Sequence, residues 1–71
     1  MNIGRSIRIM RGEYTQKGIA QQTGVTSVYI SNLENNHREP SMKWIKKFCT
    51  VTQKPVVELF ILADMVDKYG I

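Results

Sequence analysis

The side chains able to do chemistry in this sequence are few, and their types suit hydrogen bonding better than bond breaking. Asn32 can donate and accept in a fork against N6 and N7 of adenine. Val28 can pack on a thymine methyl, and Thr26 or Ser27 can bond a phosphate or a base. The plainer reading of Asn32 and Ser27 is that of solvated helix residues. Catalytic chemistry is poorly supplied. The isolated Ser, His and Glu side chains form no recognisable nucleophile, base and orienting group, so no enzyme is expected. Cys49 and His37 are each the only residue of their type. Two ligands fall short of a four-coordinate zinc site, so no metal and no cofactor are expected. A lone cysteine also makes no internal disulfide. It fits a reducing compartment and reads as a small buried apolar residue.

Helix signals recur along the chain and would hold these residues in place. Asn2 caps a first helix with Ile3, Ile7 and Met10 on its apolar side. Arg5, Arg8 and Arg11 lie off that stripe, and Gly12 lets the chain turn. Thr15 caps a second helix from Gln16 to about Thr23, with Tyr14 and Ile19 spaced for a hydrophobic staple. Gly24 stops it in a left-handed conformation. Thr26 caps a third helix from Ser27 to about Asn35, and Ile30 and Leu33 turn inward with Val25 nearby. Ser27, Val28, Ser31 and Asn32 lie largely outside that inward stripe. Ser41 caps a fourth helix with Ile45, Phe48 and Cys49 inward, Met42 at its start and Trp44 half buried. Lys43, Lys46 and Lys47 form its wet side. Residues 50–54 read as a loop, and Pro55 opens a fifth helix that reaches about Lys68 before Gly70. No strand pattern is present. The reading is all-α: a compact five-helix domain over residues 1–71.

Charge divides the chain. Residues 1–54 hold nine Lys or Arg against three acids, whereas residues 55–71 hold Lys68 against Glu58, Asp64 and Asp67. A basic body with an acidic, apolar tail suggests a face for a polyanion and a second face for packing or assembly. Seventy-one residues make one small domain of marginal stability, which needs a well-patterned core or a partner. No signal-like run and no membrane-length apolar run is visible, so a soluble location is expected.

The segment from Thr15 to Leu33 is the most informative. Two short helices flank Gly24 with a brief connection, which sets them at a steep angle and lets the second project. Val25, Ile30 and Leu33 would anchor it from behind, leaving its outer side free for a major groove.

The run Thr15-Gln16-Lys17-Gly18-Ile19-Ala20-Gln21-Gln22-Thr23-Gly24-Val25-Thr26 resembles the phage-repressor and Cro-like (xenobiotic-response-element) helix-turn-helix family. The likeness continues through Tyr29-Ile30-Ser31-Asn32-Leu33-Glu34 and Arg38-Glu39-Pro40-Ser41, and spans roughly residues 3–62. It implies a lambda-repressor-like fold and a cytoplasmic regulator, bacterial or phage-encoded. It implies base reading by Ser27, Val28 and Asn32, bordered by Ser31. Backbone contacts would come from Gln16, Thr26, Tyr29, Asn36, His37, Arg38 and Lys43. It also implies an ion pair between Glu34 and an arginine of the first helix, for which Arg11 is the candidate. The sequence departs from the family at four places, one of them Thr52, which falls near an expected leucine. The turn before Thr15 is short, Asn36 stands where glycine is common, and Gly18 replaces a frequent glutamate.

From Pro55 onward the apolar content exceeds what one inward stripe uses. Val56, Leu59, Phe60 and Ala63 can face the core, while Ile61, Leu62, Met65, Val66 and Tyr69 extend the apolar surface. The expected use is a two-fold homodimer seam; the alternative is that the first helix covers these residues. A dimer would bind a pseudopalindromic operator with its reading helices about 34 Å apart. The rival class is an antitoxin-like module that holds a toxin with the fifth helix while its body binds DNA. A further alternative is a controller protein, of the restriction–modification kind the chain also resembles, that activates transcription through contact with RNA polymerase. In the family it often runs through acids on the second helix, and residues 16–23 have none, which leans toward repression. Glu13 leaves activation open.

Overall fold

Asn2, Thr15, Thr26 and Ser41 each end a stretch of extended or irregular backbone by accepting a hydrogen bond from the N–H three residues on. These caps start four of the five helices in the computed structural model, which describes residues 1–71. The helices are α1 (Ile3–Arg11), α2 (Gln16–Thr23), α3 (Ser27–Glu34), α4 (Met42–Thr52) and α5 (Val56–Tyr69). Pro55 precedes α5 without a side-chain cap, and Glu58 in its first turn complements the helix dipole. The architecture is all-α and in keeping with a lambda-repressor-like domain.

Gly24 ends α2 at φ 74°, the left-handed region that glycine enters without strain. The left-handed residue after α3 is Asn36, at φ 59°. The α2–α3 connection is therefore tight, and Ile30 and Leu33 of α3 are fully enclosed. They join Ile7 and Met10 of α1, Ile19 and Ala20 of α2, Ile45 and Phe48 of α4 and Leu59 of α5 in one apolar cluster.

Three expectations change. The fourth helix continues through Thr52, where a loop was expected from Thr50. The Thr50 and Thr52 hydroxyls donate back to the Lys46 and Phe48 carbonyls at 2.9 and 3.0 Å, and Val51 packs on the core. Gln53 then stops the helix in a left-handed conformation. Trp44 is buried rather than half buried, because its ring stacks on Phe48 at 4.9 Å and its Nε1 donates to Thr23 Oγ1 at 3.0 Å. Val66, expected on the outward seam, is buried with Leu59 and Ala63. Steps of four and three residues put all three on one stripe of α5.

The junction of α1 with α3 fixes the height of α3. Gly4 lies so close to the end of α3 that an added Cβ would sit 2.5 Å from the Glu34 carbonyl oxygen and 2.6 Å from that of Leu33. Ser6 Oγ donates to the Leu59 carbonyl at 2.6 Å and ties α1 to α5 as well. Burial pushes the Cys49 thiol up from its ordinary range, with a smaller contribution from the negative charge of Glu58. It is a core side chain and no nucleophile.

Candidate nucleic-acid interface

Helix α3 buries one side and leaves the other open. At about 100° per residue, Ser27, Val28, Ser31 and Asn32 span a side centred opposite Ile30 and Leu33, with Glu34 at its edge next to Ser27. Ser27 and Val28 are exposed, Val28 to 67%, while Ser31 and Asn32 are half buried. A valine so exposed gains nothing from folding, yet it sits at the centre of the outward side. Thr26 Oγ1 caps the Tyr29 N–H at 3.1 Å. The Ser31 hydroxyl is partly occupied, since Asn35 Nδ2 donates to the Ser31 carbonyl at 2.9 Å and reaches Ser31 Oγ at 3.4 Å.

An ionic brace holds α3 from below. The Glu34 side chain is 3% exposed and receives Arg11 Nε at 2.7 Å and Arg11 Nη2 at 3.2 Å. Gln16 Nε2 donates to Glu34 Oε1 at 3.2 Å, so the first residue of α2 is tied to the last residue of α3. Arg8 approaches the same carboxylate at 3.7 Å from a wetter position. Arg11 Nη1 also donates to the Tyr14 carbonyl at 2.7 Å, closing the short turn before α2. One buried carboxylate thus joins α1, α2 and α3.

The loop after α3 folds back on the helix end. His37 and Arg38 N–H groups both donate to the Asn32 carbonyl, at 2.8 and 3.3 Å. His37 and Arg38 are exposed, as is Lys43 in the first turn of α4. Asn36 differs from its expected role. Its Oδ1 accepts from the Gly4 N–H at 3.0 Å and its Nδ2 donates to Asn2 Oδ1 at 2.9 Å. This amide braces α1 instead of standing free for a phosphate. Tyr29 is half buried, with its ring under the Arg38 guanidinium at 5.3 Å.

On α5, Ile61, Met65 and Tyr69 are exposed and Leu62 is half buried against the core. Val57 belongs with the exposed set, a position sequence reading missed. Steps of four from Val57 to Ile61, Met65 and Tyr69 were the available signal. The Tyr29–Arg38 stack and the Gly4 approach carried none, because both partners come from separate elements.

A short helix, a tight glycine turn and a projecting second helix with a polar outer side define a helix-turn-helix domain. Residues 5–59 match the family described as Helix-turn-helix. The chain belongs to that family of DNA-binding regulators. It is also similar to a protein of Acinetobacter baylyi (strain ATCC 33305 / BD413 / ADP1) named the competence pilus inhibition repressor. The two are 31% identical over 72 aligned positions, which cover 99% of this chain and 66% of that protein. The chain therefore spans just under two thirds of that relative's length. No helix is long and apolar enough to cross a membrane.

Proposed function

We propose that the chain is a sequence-specific repressor of the Cro-like kind, which binds a pseudopalindromic operator in double-stranded DNA as a homodimer. The observation that carries this reading is the free outer side of α3: Ser27 and Val28 stand exposed with Asn32 beside them, while Ile30 and Leu33 pin the helix from beneath. Asn32 reads a base edge in the major groove, Val28 packs on a thymine methyl, and Ser27 and Thr26 bond at the helix start. The free N–H groups at that start favour a phosphate. Arg38, His37 and Lys43 add backbone contacts that set register.

The exposed stripe of Val57, Ile61, Met65 and Tyr69 supports self-association. A two-fold dimer through α5 would have to hold its two reading helices about 34 Å apart, one turn of DNA. The relative's printed name, a repressor, agrees with a repressing role.

Selection from a random duplex pool tests the proposal. Enrichment of a two-fold symmetric motif, with protection across both half-sites in a footprint, is the expected result. A pool that stays random after repeated rounds overturns it. A selected motif without symmetry, bound by a chain that is monomeric in scattering, overturns the dimer alone.

A further inference from the structure

We infer that Tyr29 is a positioning residue for DNA binding: its ring holds the Arg38 guanidinium at the flank of α3, where that group meets a backbone phosphate. The inference rests on the reading of α3 as the helix that enters the groove. The guanidinium carbon lies 5.3 Å from the Tyr29 ring centroid, within the range of cation–π attraction. The Arg38 N–H donates to the Asn32 carbonyl at 3.3 Å, so backbone and side chain are both fixed on α3.

The ring that carries Arg38 is itself held from the inside. Tyr29 meets Trp44 edge to face, with centroids 6.4 Å apart and planes at 78°. Trp44 stacks on Phe48 and donates to Thr23 Oγ1, and that hydroxyl donates to the Ile19 carbonyl at 2.7 Å. Trp44, Phe48 and Thr23 are all buried. The line from Phe48 to Arg38 therefore runs from core to surface through packed rings. A free arginine loses much side-chain entropy on gripping a phosphate. One already seated on a ring loses less, and its N–H edge stays open to two phosphate oxygens.

The placement suits that task. On the α3 wheel, Tyr29 lies about 60° from Asn32, on the side away from Ser27 and Glu34. Gln16 approaches α3 from the Glu34 side. The outward side of α3 is thus bordered by the start of α2 along one edge and by Arg38 along the other. A helix seated in a major groove has one phosphate backbone along each such edge.

A double-mutant cycle on a random-sequence 30-base-pair duplex tests this without knowledge of the operator. Arg38→Gln is expected to lower the salt slope by about one per bound protomer. Tyr29→Leu is expected to weaken binding about two- to fivefold in the parent and to add nothing to Arg38→Gln. Tyr29→Phe keeps the ring and parent affinity. Equal losses from Tyr29→Leu in both backgrounds overturn the inference, as does a loss on Tyr29→Phe, which assigns the contact to the hydroxyl. Should Tyr29→Leu fail to fold, Arg38→Lys carries the test, because it leaves the core untouched. It keeps the charge and the salt slope, and is expected to lose affinity two- to fivefold like Tyr29→Leu, since an ammonium offers no flat face and no paired N–H edge. Parent-like affinity overturns the inference. A parent chain that ignores duplex DNA at low salt overturns both this and the proposed function, whereas a binding parent with an additive cycle overturns this alone.

Discussion

Removing the Glu34 carboxylate should destabilise the whole fold, although the residue lies at the end of a short helix. Its side chain is 3% exposed and that of Arg11 is 17% exposed, with two N–H groups of Arg11 on the two carboxylate oxygens. Glu34→Ala leaves a mostly buried guanidinium with only the Tyr14 carbonyl as partner. Breaking one side of a buried pair costs about 3 to 5 kcal/mol. Arg11 keeps some contact with water, so the lower end, about 3 kcal/mol, applies here. Gln16 loses its acceptor too, while the 3.7 Å approach of Arg8, at an exposed position, adds little. A domain this small has about 4 to 10 kcal/mol in total. At a denaturant slope of about 1 to 1.5 kcal/mol/M, the urea midpoint should fall by about 2 to 3 M. Replacing both partners, as Glu34→Ala with Arg11→Met, removes the stranded charge and should recover more than half of the loss. Equilibrium urea unfolding followed by circular dichroism measures all four corners of the cycle. A Glu34→Ala protein within about 0.5 kcal/mol of the parent would refute the reasoning, as would a double variant whose loss equals the sum of the singles.

Other expectations follow from the same contacts. Gly4→Ala gains about 1 kcal/mol of helix propensity but drives a methyl into the Glu34 and Leu33 carbonyls, so the thermal midpoint should fall; a rise would show that α1 and α3 separate freely. Asn32→Ala should cost about 1 to 3 kcal/mol on the best selected duplex and little on a random one, and equal binding of variant and parent to every duplex would remove Asn32 from base reading. Ile61→Glu and Met65→Glu, at exposed positions of α5, should leave the helical signal intact and convert a dimer to a monomer in light scattering; an unchanged mass would move the seam elsewhere.

How much of this was legible beforehand differs from element to element. Asn2, Thr15, Thr26 and Ser41 announced the starts of four helices, because capping is a contact between residues three apart. Gly24 announced the turn for a similarly local reason, and the inward pair Ile30 and Leu33 followed from helical spacing. The end of α4 is not legible in the sequence because a run of Thr and Val is weak in helix propensity, and packing of Val51 on the core overrides that preference. The burial of Val66 is not legible in the sequence because α5 is apolar on several sides, and hydropathy alone cannot choose which side meets α1.

The amino-acid order alone determined the five helices, the tight connection between the second and third, and the polar outer side of the third. Each depends on neighbours within about one or two helical turns. The pairing of Arg11 with Glu34 was implied by the family resemblance, but only the folded chain decided the other meetings of polar side chains: Gln16 on Glu34, Asn36 on Gly4, and Arg38 on Tyr29. Those contacts depend on the angles at which helices cross, and the crossing angles come from how the buried side chains fit together.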